Sequence, residues 1–193
     1  MSDDVEDAWR GWTPGEDGLW HRRGARVLLV AGGDGAGDGG AARVLLLRGH
    51  DVDQPQRSWW FTVGGGIDAG ETPVQAAVRE VAEETGLVVG PEQLVGPVLQ
   101  RSAVFAFLAR TCRQDELFYL VRVPADLQGA ALSRDGWTAV ERASVDDVRW
   151  WRLDELAAAE AGGAEVFPRG LAGLVADLLP RWDGVLRVLG EER

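Results

Sequence analysis

The stretch from Gly65 to Leu87, GGIDAGETPVQAAVREVAEETGL, restricts the fold more than any other part of this chain. Thr72 can act as an N-cap, Pro73 suits the first helical position, and Gln75 can complete a capping box. Apolar residues then recur at the spacing of one buried helical stripe. Gly86 can take the left-handed conformation that ends a helix. We therefore predict an amphipathic helix that begins at Pro73 and packs on a core.

The same helix carries carboxylates in positions that local physics disfavours. Glu80, Glu83 and Glu84 stand at i, i+3 and i+4, so they share one helical face. Like charges at these spacings repel, and acids in the last turns face the negative end of the helix dipole. A divalent cation such as Mg²⁺ or Mn²⁺ would remove both penalties, because it prefers clustered oxygen ligands. A Glu-rich helix face is also common as solvated surface, so the residues alone leave both interpretations open.

The stretch resembles the Nudix box of the MutT-like Nudix hydrolases. That box consists of Gly, five residues, Glu, seven residues, and then Arg-Glu-aliphatic-any-Glu-Glu-any-Gly-aliphatic. The chain supplies every position: Gly65, Glu71, Arg79, Glu80, Val81, Glu83, Glu84, Gly86 and Leu87. Weaker similarity in the flanking segments extends the resemblance over residues 24–180.

The resemblance implies an α/β fold, namely an α/β/α sandwich around a mixed β-sheet. It also implies a metal-dependent hydrolase that cleaves the pyrophosphate bond of a nucleoside diphosphate linked to another moiety, by attack of water at phosphorus. Mg²⁺ or Mn²⁺ is the expected cofactor. An alternative is a non-catalytic Nudix-like protein that senses a nucleotide and regulates a partner. A third hypothesis, an isomerase acting on a prenyl diphosphate, would need Cys112 as its nucleophile.

Carried over by position, the resemblance assigns catalysis and metal binding to one group of residues in the helix. These residues are Arg79, Glu80, Glu83 and Glu84. The three glutamates are the expected metal ligands, and Glu80 or another glutamate is the expected general base. Arg79 is expected to orient the carboxylates through charge-assisted hydrogen bonds, so that Arg79, Glu80 and Glu84 form the catalytic group. A carboxylate outside the box often completes such a site; Glu141 is the first candidate and Glu116 the second.

Further residues are expected to shape the loop or contact the substrate. The expected loop residues are Gly65, Gly66, Glu71 and Gly86. Gly65 would let the backbone approach the helix without an intervening Cβ. The expected substrate contacts are Trp59, Trp60, Arg101 and Glu116. Either tryptophan could stack on a base, although alternation along a strand sends adjacent side chains to opposite faces.

The remaining segments alternate between strands and helices, which suits a sandwich. Apolar patterning predicts strands over residues 25–31, 42–47, 58–63, 116–123 and 148–153, with shorter ones near 96–100 and 103–108. A short helix is expected directly after residue 153 and a last helix over 167–179. The glycine-rich segment 32–41 lacks the Gly-Lys-Ser/Thr of a phosphate-binding loop. We interpret it as a flexible connector.

The chain of 193 residues has the length of one domain. We expect an N-terminal arm over residues 1–23, a Nudix domain over 24–182 and a C-terminal tail over 183–193. The three tryptophans of the arm, at positions 9, 12 and 20, could pack on the domain, join a dimer or contact the substrate. His50, near Asp51 and Asp53, lacks companion ligands, so we expect a solvated loop or a structural hydrogen bond there.

Composition narrows the choice of partners. A net charge of −11 disfavours non-specific binding to nucleic acid or to an anionic membrane. The single cysteine, Cys112, excludes a disulfide framework, and the acidic start differs from a signal peptide, so a cytoplasmic location is expected. We expect a nucleotide-type small-molecule substrate and a homodimer. The residues at 103–105 lack the Pro or Tyr that would indicate ADP-ribose or dinucleoside polyphosphates, so nucleoside triphosphates, nucleotide sugars and capped RNA stay open.

Overall fold

One mixed β-sheet organises the fold. The computed structural model describes residues 9–33, 42–51, 54–107, 109–179 and 181–192. Within these ranges the strands are β1 (Thr13–Pro14), β2 (Trp20–Ala31), β3 (Arg43–His50), β4 (Ser58–Gly66), β5 (Val95–Phe107), β6 (Arg110–Val123), β7 (Val145–Arg152), β8 (Val166–Phe167) and β9 (Arg187–Glu192). The helices are α1 (Pro73–Thr85), α2 (Ala139–Ser144), α3 (Leu153–Ala161) and α4 (Leu171–Leu178). Most of the glycine-rich connector, residues 34–41, and Asp53 lie outside the described residues.

The strand order is β7-β3-β4-β2-β6-β5-β9, with β1 paired to β2 and β8 paired to β4. The central strand β2 runs parallel to β6 along its whole length and antiparallel to β4. Strand β9 runs parallel to β5 at the edge. The sheet is therefore mixed, as the sequence predicted.

Helices cover both faces of this sheet because the central strand is apolar on both sides. Val27 and Leu29 of β2 lie in the core beneath α1, whereas Leu28 and Val30 lie in the core beneath α3 and α4. All four side chains are fully buried. The expected α/β/α sandwich is confirmed.

Helix α1 begins and ends where its sequence predicted. The Thr72 hydroxyl accepts a hydrogen bond from the Gln75 backbone N–H at 3.3 Å, and the Thr72 N–H donates to Gln75 Oε1 at 2.9 Å. Pro73 is the first residue. Gly86 follows the helix with a φ of 74°, in the left-handed region. The ends of this helix are thus determined by nearby residues.

Several other strands and helices begin or end at residues that the sequence did not predict, because pairing between strands sets their limits. Strand β2 already begins at Trp20, inside the expected arm, because it pairs with β6 from there. The two short strands expected near residue 100 form one strand, β5. The expected last helix begins only at Leu171, since residues 166–167 pair with β4. Residues 187–192 of the expected tail form β9. Among the described helices, none has the length and apolar character needed to cross a membrane.

Candidate active site

A cleft of about 700 Å³ brings together residues that lie far apart in the sequence. The N-terminal segment, β2, β4, β5, β6, α1 and α2 all contribute to its lining. Its residues include carboxylates from α1 and α2, arginines from β2 and β5, and aromatic rings from the N-terminal segment and β5. The cleft therefore combines groups that can bind cations, phosphates and planar rings.

Three carboxylates of the cleft form an acidic cluster, made of Glu80, Glu84 and Glu141. One oxygen from each lies within 4.8 Å of the others. Glu80 and Glu84 are only 7% and 4% exposed. Burying like charges together is costly unless a cation compensates them, and clustered oxygens are the ligands that Mg²⁺ and Mn²⁺ take. The donor set fits a divalent cation.

The glycines at the end of β4 allow the two α1 carboxylates to lie against the backbone. The Gly64 N–H donates a hydrogen bond to Glu84 Oε2 at 2.7 Å. A Cβ on Gly65 would lie 2.6 Å from Glu80 Oε1, so a side chain at this position would displace the Glu80 carboxylate. Gly65 is therefore needed because the Glu80 carboxylate occupies the space that a side chain would fill.

The segment before α2 carries Glu141 to the acidic cluster. The Ser133 N–H donates to the Thr85 carbonyl at 3.0 Å, and Trp137 Nε1 donates to the Glu84 carbonyl at 2.9 Å. These bonds fasten the segment to the last turn of α1. Glu141 Oε2 then accepts from the Thr138 N–H at 2.7 Å in a capping box. The same capping interaction that starts α2 holds the third carboxylate in place.

Arg79 ties the box loop to the acidic cluster. Its Nε and Nη2 donate to the two Glu71 oxygens at 2.9 Å each, and Nη2 also donates to the Gly66 carbonyl at 2.9 Å. Its Nη1 donates to Glu80 Oε1 at 2.7 Å. The hydrogen bonds to Glu71 raise the pKa of Arg79 and lower the pKa of Glu71. Arg79 is therefore a permanent cation that restrains Glu80, and Glu71 orients Arg79.

Glu83 has a different environment from its two neighbours. Its side chain is 45% exposed and accepts from Arg79 Nη1 at 3.0 Å. It is not part of the acidic cluster found among the described residues. The structure thus groups Glu80 and Glu84 with Glu141, whereas Glu83 contacts Arg79. The role of Glu83 as a metal ligand stays a prediction from the sequence.

Burial changes the acidity of the two inner glutamates. It raises the pKa of Glu80, against the opposing effect of Arg79. Burial also raises the pKa of Glu84 well above its ordinary value, and the charge of Glu80 adds to the increase. Without a cation, both carboxylates therefore hold protons more strongly than exposed glutamates do.

The metal-free protein is expected to lose stability as pH rises. A folded-state pKa above the ordinary value of 4.5 stabilises the fold fully below that value, and the contribution is lost as pH rises through the raised pKa. Thermal midpoints measured in chelator from about pH 5 to pH 8 should fall for the wild type. The fall should be smaller for Glu84→Gln, which carries no ionisable group at that position. Identical pH dependence in the two proteins would contradict this explanation.

A second network of buried charges lies around Glu116. Glu116 accepts from Arg26 Nε at 2.7 Å, from Arg101 Nε at 2.8 Å and from Gln114 Nε2 at 2.7 Å. Burial alone would raise its pKa, but Arg26 and Arg101 lower it to about 2. Arg101 Nη1 also donates to Glu192 of β9 at 2.6 Å. With these donors on its oxygens, Glu116 is not available as the carboxylate from outside the box, whereas Glu141 lies beside Glu80 and Glu84.

The expected substrate contacts divide into two groups. Trp59, Arg101 and Glu116 line the cleft. Trp60 does not: its ring packs edge-on against Trp151 at 5.1 Å, in the core beneath α3 and α4. The structure therefore places Trp60 away from the cleft, because alternation along β4 sends the two adjacent rings to opposite faces. The His50 Nδ1–H donates a hydrogen bond to Asp146 Oδ1 at 3.0 Å, which is one of the two alternatives expected for His50.

Three residues that line the cleft were not expected from the sequence: Arg22, Arg26 and Phe105. Trp12 also lines it, and contact with the substrate was one of the alternatives left open for the arm tryptophans. Two of them had a detectable pattern, since Arg22 and Arg26 are charged residues on the same side of a strand whose later residues are apolar. Phe105 had none, because only tertiary contacts bring it to the cleft.

Comparison with known protein families identifies the family of this chain. The model of the NUDIX domain matches residues 20–170. The RNA pyrophosphohydrolase of Halorhodospira halophila is 31% identical over 130 residues, which are 64% of this chain and 62% of that protein. The putative mutator protein MutT4 of Mycobacterium tuberculosis is 45% identical over 67 residues, 35% of this chain and 25% of that protein. This chain spans less than two thirds of the length of these curated relatives.

The fold of this chain is also similar to that of solved Nudix structures. A crystal structure of a NUDIX hydrolase from Alicyclobacillus acidocaldarius aligns with a TM-score of 0.54 at 16% identity, over 80% of this chain and 91% of that one. At this identity the comparison concerns the fold alone.

Proposed function

Because the chain belongs to the Nudix hydrolase family, we propose that it hydrolyses the pyrophosphate bond of a nucleoside diphosphate linked to another moiety, with Mg²⁺ or Mn²⁺ as cofactor. The observation that carries the proposal is the buried acidic cluster in a cleft that also contains arginines. Its carboxylates would otherwise repel one another without compensation. The name of the Halorhodospira relative supports the reaction class.

Glu80, Glu84 and Glu141 would hold the divalent cation. A cation bound there lowers the pKa of a bound water and neutralises phosphate oxygens. Arg79 keeps the Glu80 carboxylate in place through a 2.7 Å hydrogen bond. The Gly64 N–H does the same for Glu84. The chain thus supplies a preorganised set of oxygens instead of flexible surface acids.

The protein's own groups account for substrate positioning and proton movement. Arg22 and Arg26 line the cleft and can attract the phosphate oxygens of the substrate. A buried glutamate of the cluster can accept the proton of the attacking water at a carboxylate oxygen. The water oxygen forms a bond to phosphorus, and the bridging P–O bond breaks. The products are two phosphorylated fragments.

A substrate panel in ¹⁸O-labelled water tests the proposal. The panel contains nucleoside triphosphates, nucleotide sugars, a dinucleoside polyphosphate and a 5′-triphosphorylated RNA, each with Mg²⁺ or Mn²⁺. We expect hydrolysis of at least one class, with ¹⁸O attached to phosphorus in one product. Absence of hydrolysis across the panel, or label that never appears on phosphorus, would contradict the proposal. The cytoplasmic location and the homodimer stay predictions from the sequence.

A further inference from the structure

We propose that the N-terminal segment completes a subsite for the nucleoside monophosphate half of the substrate, in which Arg22 binds the phosphate and Phe105 stacks on the base. The inference rests on the proposed function and deepens it. The segment, residues 9–14, precedes the residues 20–170 that match the family model. The subsite is therefore built partly by residues outside the matched region.

Arg22 has the free donors that a phosphate needs. Its Nε donates to Gln114 Oε1 at 2.8 Å, which fixes the guanidinium. Its two terminal nitrogens donate no hydrogen bond to any residue that the structure describes. Burial, with the nearby charge of Arg26, lowers the pKa of Arg22 to about 10, so the group still carries its charge at neutral pH. A restrained cation with two unused donors can bind a phosphate at two points.

A continuous series of contacts joins Arg22 to the acidic cluster on one side. The Gly66 carbonyl accepts from Arg79, which in turn holds Glu80. A Cβ on Gly66 would lie 3.2 Å from Arg22 Nη1, so the guanidinium lies directly against this loop. A phosphate on Arg22 would thus lie next to the loop that leads to the acidic cluster.

On the side away from the acidic cluster, Arg22 contacts a group of aromatic rings. The guanidinium carbon of Arg22 lies 4.4 Å from the centre of the Trp12 ring, a cation–π contact. Trp12 is only 7% exposed and packs against Phe105 at 6.0 Å and Phe107 at 6.2 Å. Trp12 is therefore a positioning residue that supports both Arg22 and Phe105.

Phe105 supplies the surface for a base. Its side chain is 37% exposed although the ring lines the cleft and its neighbour Trp12 is buried. A partly exposed ring that one aromatic side chain, Trp12, separates from a cation suits a ligand that joins a planar ring to a phosphate, as a nucleoside monophosphate does. Ribose would span the gap between the two. The order of groups along the cleft is therefore acidic cluster, Arg22 and aromatic wall.

Calorimetric binding of three non-hydrolysable probes tests each half of the subsite. The probes are AMP, ribose 5-phosphate and adenosine, all with Mg²⁺. Arg22→Gln should weaken AMP and ribose 5-phosphate about tenfold and leave adenosine unchanged. Phe105→Leu should weaken AMP and adenosine about tenfold and leave ribose 5-phosphate unchanged, and Phe105→Tyr should restore binding.

Two further variants separate positioning from general damage. Trp12→Leu should weaken all three probes, and Trp12→Phe should restore them. Arg113→Gln is the matched control. Arg113 lies on β6, opposite Val104 of β5 and thus next to Phe105. It pairs with Glu191 at 3.3 Å and does not line the cleft. It should bind each probe as the wild type does.

The inference is overturned if the wild type does not bind AMP, or if Arg22→Gln and Phe105→Leu bind all three probes like the wild type. Hydrolysis of the substrate panel is measured separately on the same proteins. If the wild type hydrolyses diphosphates but the variants bind the probes normally, the proposed function stands and the proposed subsite is refuted. If the probes bind in the predicted pattern but no substrate is hydrolysed, the proposed subsite stands and the proposed function is refuted.

Discussion

Replacement of Glu84 by Gln is expected to lower kcat for pyrophosphate hydrolysis by at least about 10³-fold, because cation binding contributes several kcal/mol to the transition state. Gln has nearly the same shape as Glu and can still accept the 2.7 Å hydrogen bond from the Gly64 N–H. The substitution therefore removes charge from the acidic cluster with little change in packing. The measurement is kcat at saturating metal, on the best substrate of the panel.

Glu83→Gln is the matched control, because it makes the same change one residue earlier on α1. Glu83 is at the rim and bonded to Arg79, outside the acidic cluster. Its loss should lower kcat by no more than about 10- to 100-fold, as for residues that orient a ligand. If Glu83→Gln were as damaging as Glu84→Gln, the three box glutamates would act together and the ligand set proposed from the structure would be wrong.

Replacement of Glu116 by Gln is expected to lower the free energy of unfolding by about 3–5 kcal/mol, since it leaves buried charges without their partner. Glu116 is 2% exposed and bonded to both Arg26 and Arg101. The neutral amide cannot compensate two guanidinium groups. Urea unfolding at neutral pH, where the Glu116 carboxylate is fully ionised, gives the measurement.

An exposed ion pair provides the comparison for this effect. Asp154 pairs with Arg152 at 2.7 Å, but its side chain is 63% exposed. Asp154→Asn should lower the free energy of unfolding far less than Glu116→Gln does, because solvent screens the exposed pair. Similar losses in the two variants would show that burial does not determine the strength of the Glu116 network.

The parts of the fold that the sequence predicted are those set by neighbouring residues. Helix α1 is bounded by Thr72, Gln75 and Gly86, all within a turn of its ends. The Nudix box lies in the same short stretch, so the loop and its glutamates could be assigned together. Helical spacing alone, however, cannot distinguish Glu83 from Glu84. That difference depends on the Gly64 N–H, which donates to Glu84, and on Arg79, one turn earlier in α1, which donates to Glu83.

The features that the sequence could not predict depend on distant contacts. Glu141 reaches the acidic cluster because the segment before α2 bonds to the end of α1. Glu141 was one of two candidates, and two structural features distinguish them: Glu116 is hydrogen-bonded to arginines, and Glu141 lies beside Glu80 and Glu84. The residues after 186 form an edge strand because β5 offers them a partner. Trp12 lies in the cleft through contacts with β2 and β5, which no local pattern encodes.

The most direct measurement is the affinity of the acidic cluster for a divalent cation. Mg²⁺ or Mn²⁺ is titrated calorimetrically into the wild type and into Glu84→Gln, with and without nucleotide. The structure predicts uptake of a divalent cation by the wild type and at least about tenfold weaker binding by the variant, through the loss of one charged ligand. The Glu83→Gln protein should bind the cation nearly as the wild type does. No uptake by the wild type under any of these conditions, or equal affinity in wild type and Glu84→Gln, would contradict a cation site at Glu80, Glu84 and Glu141.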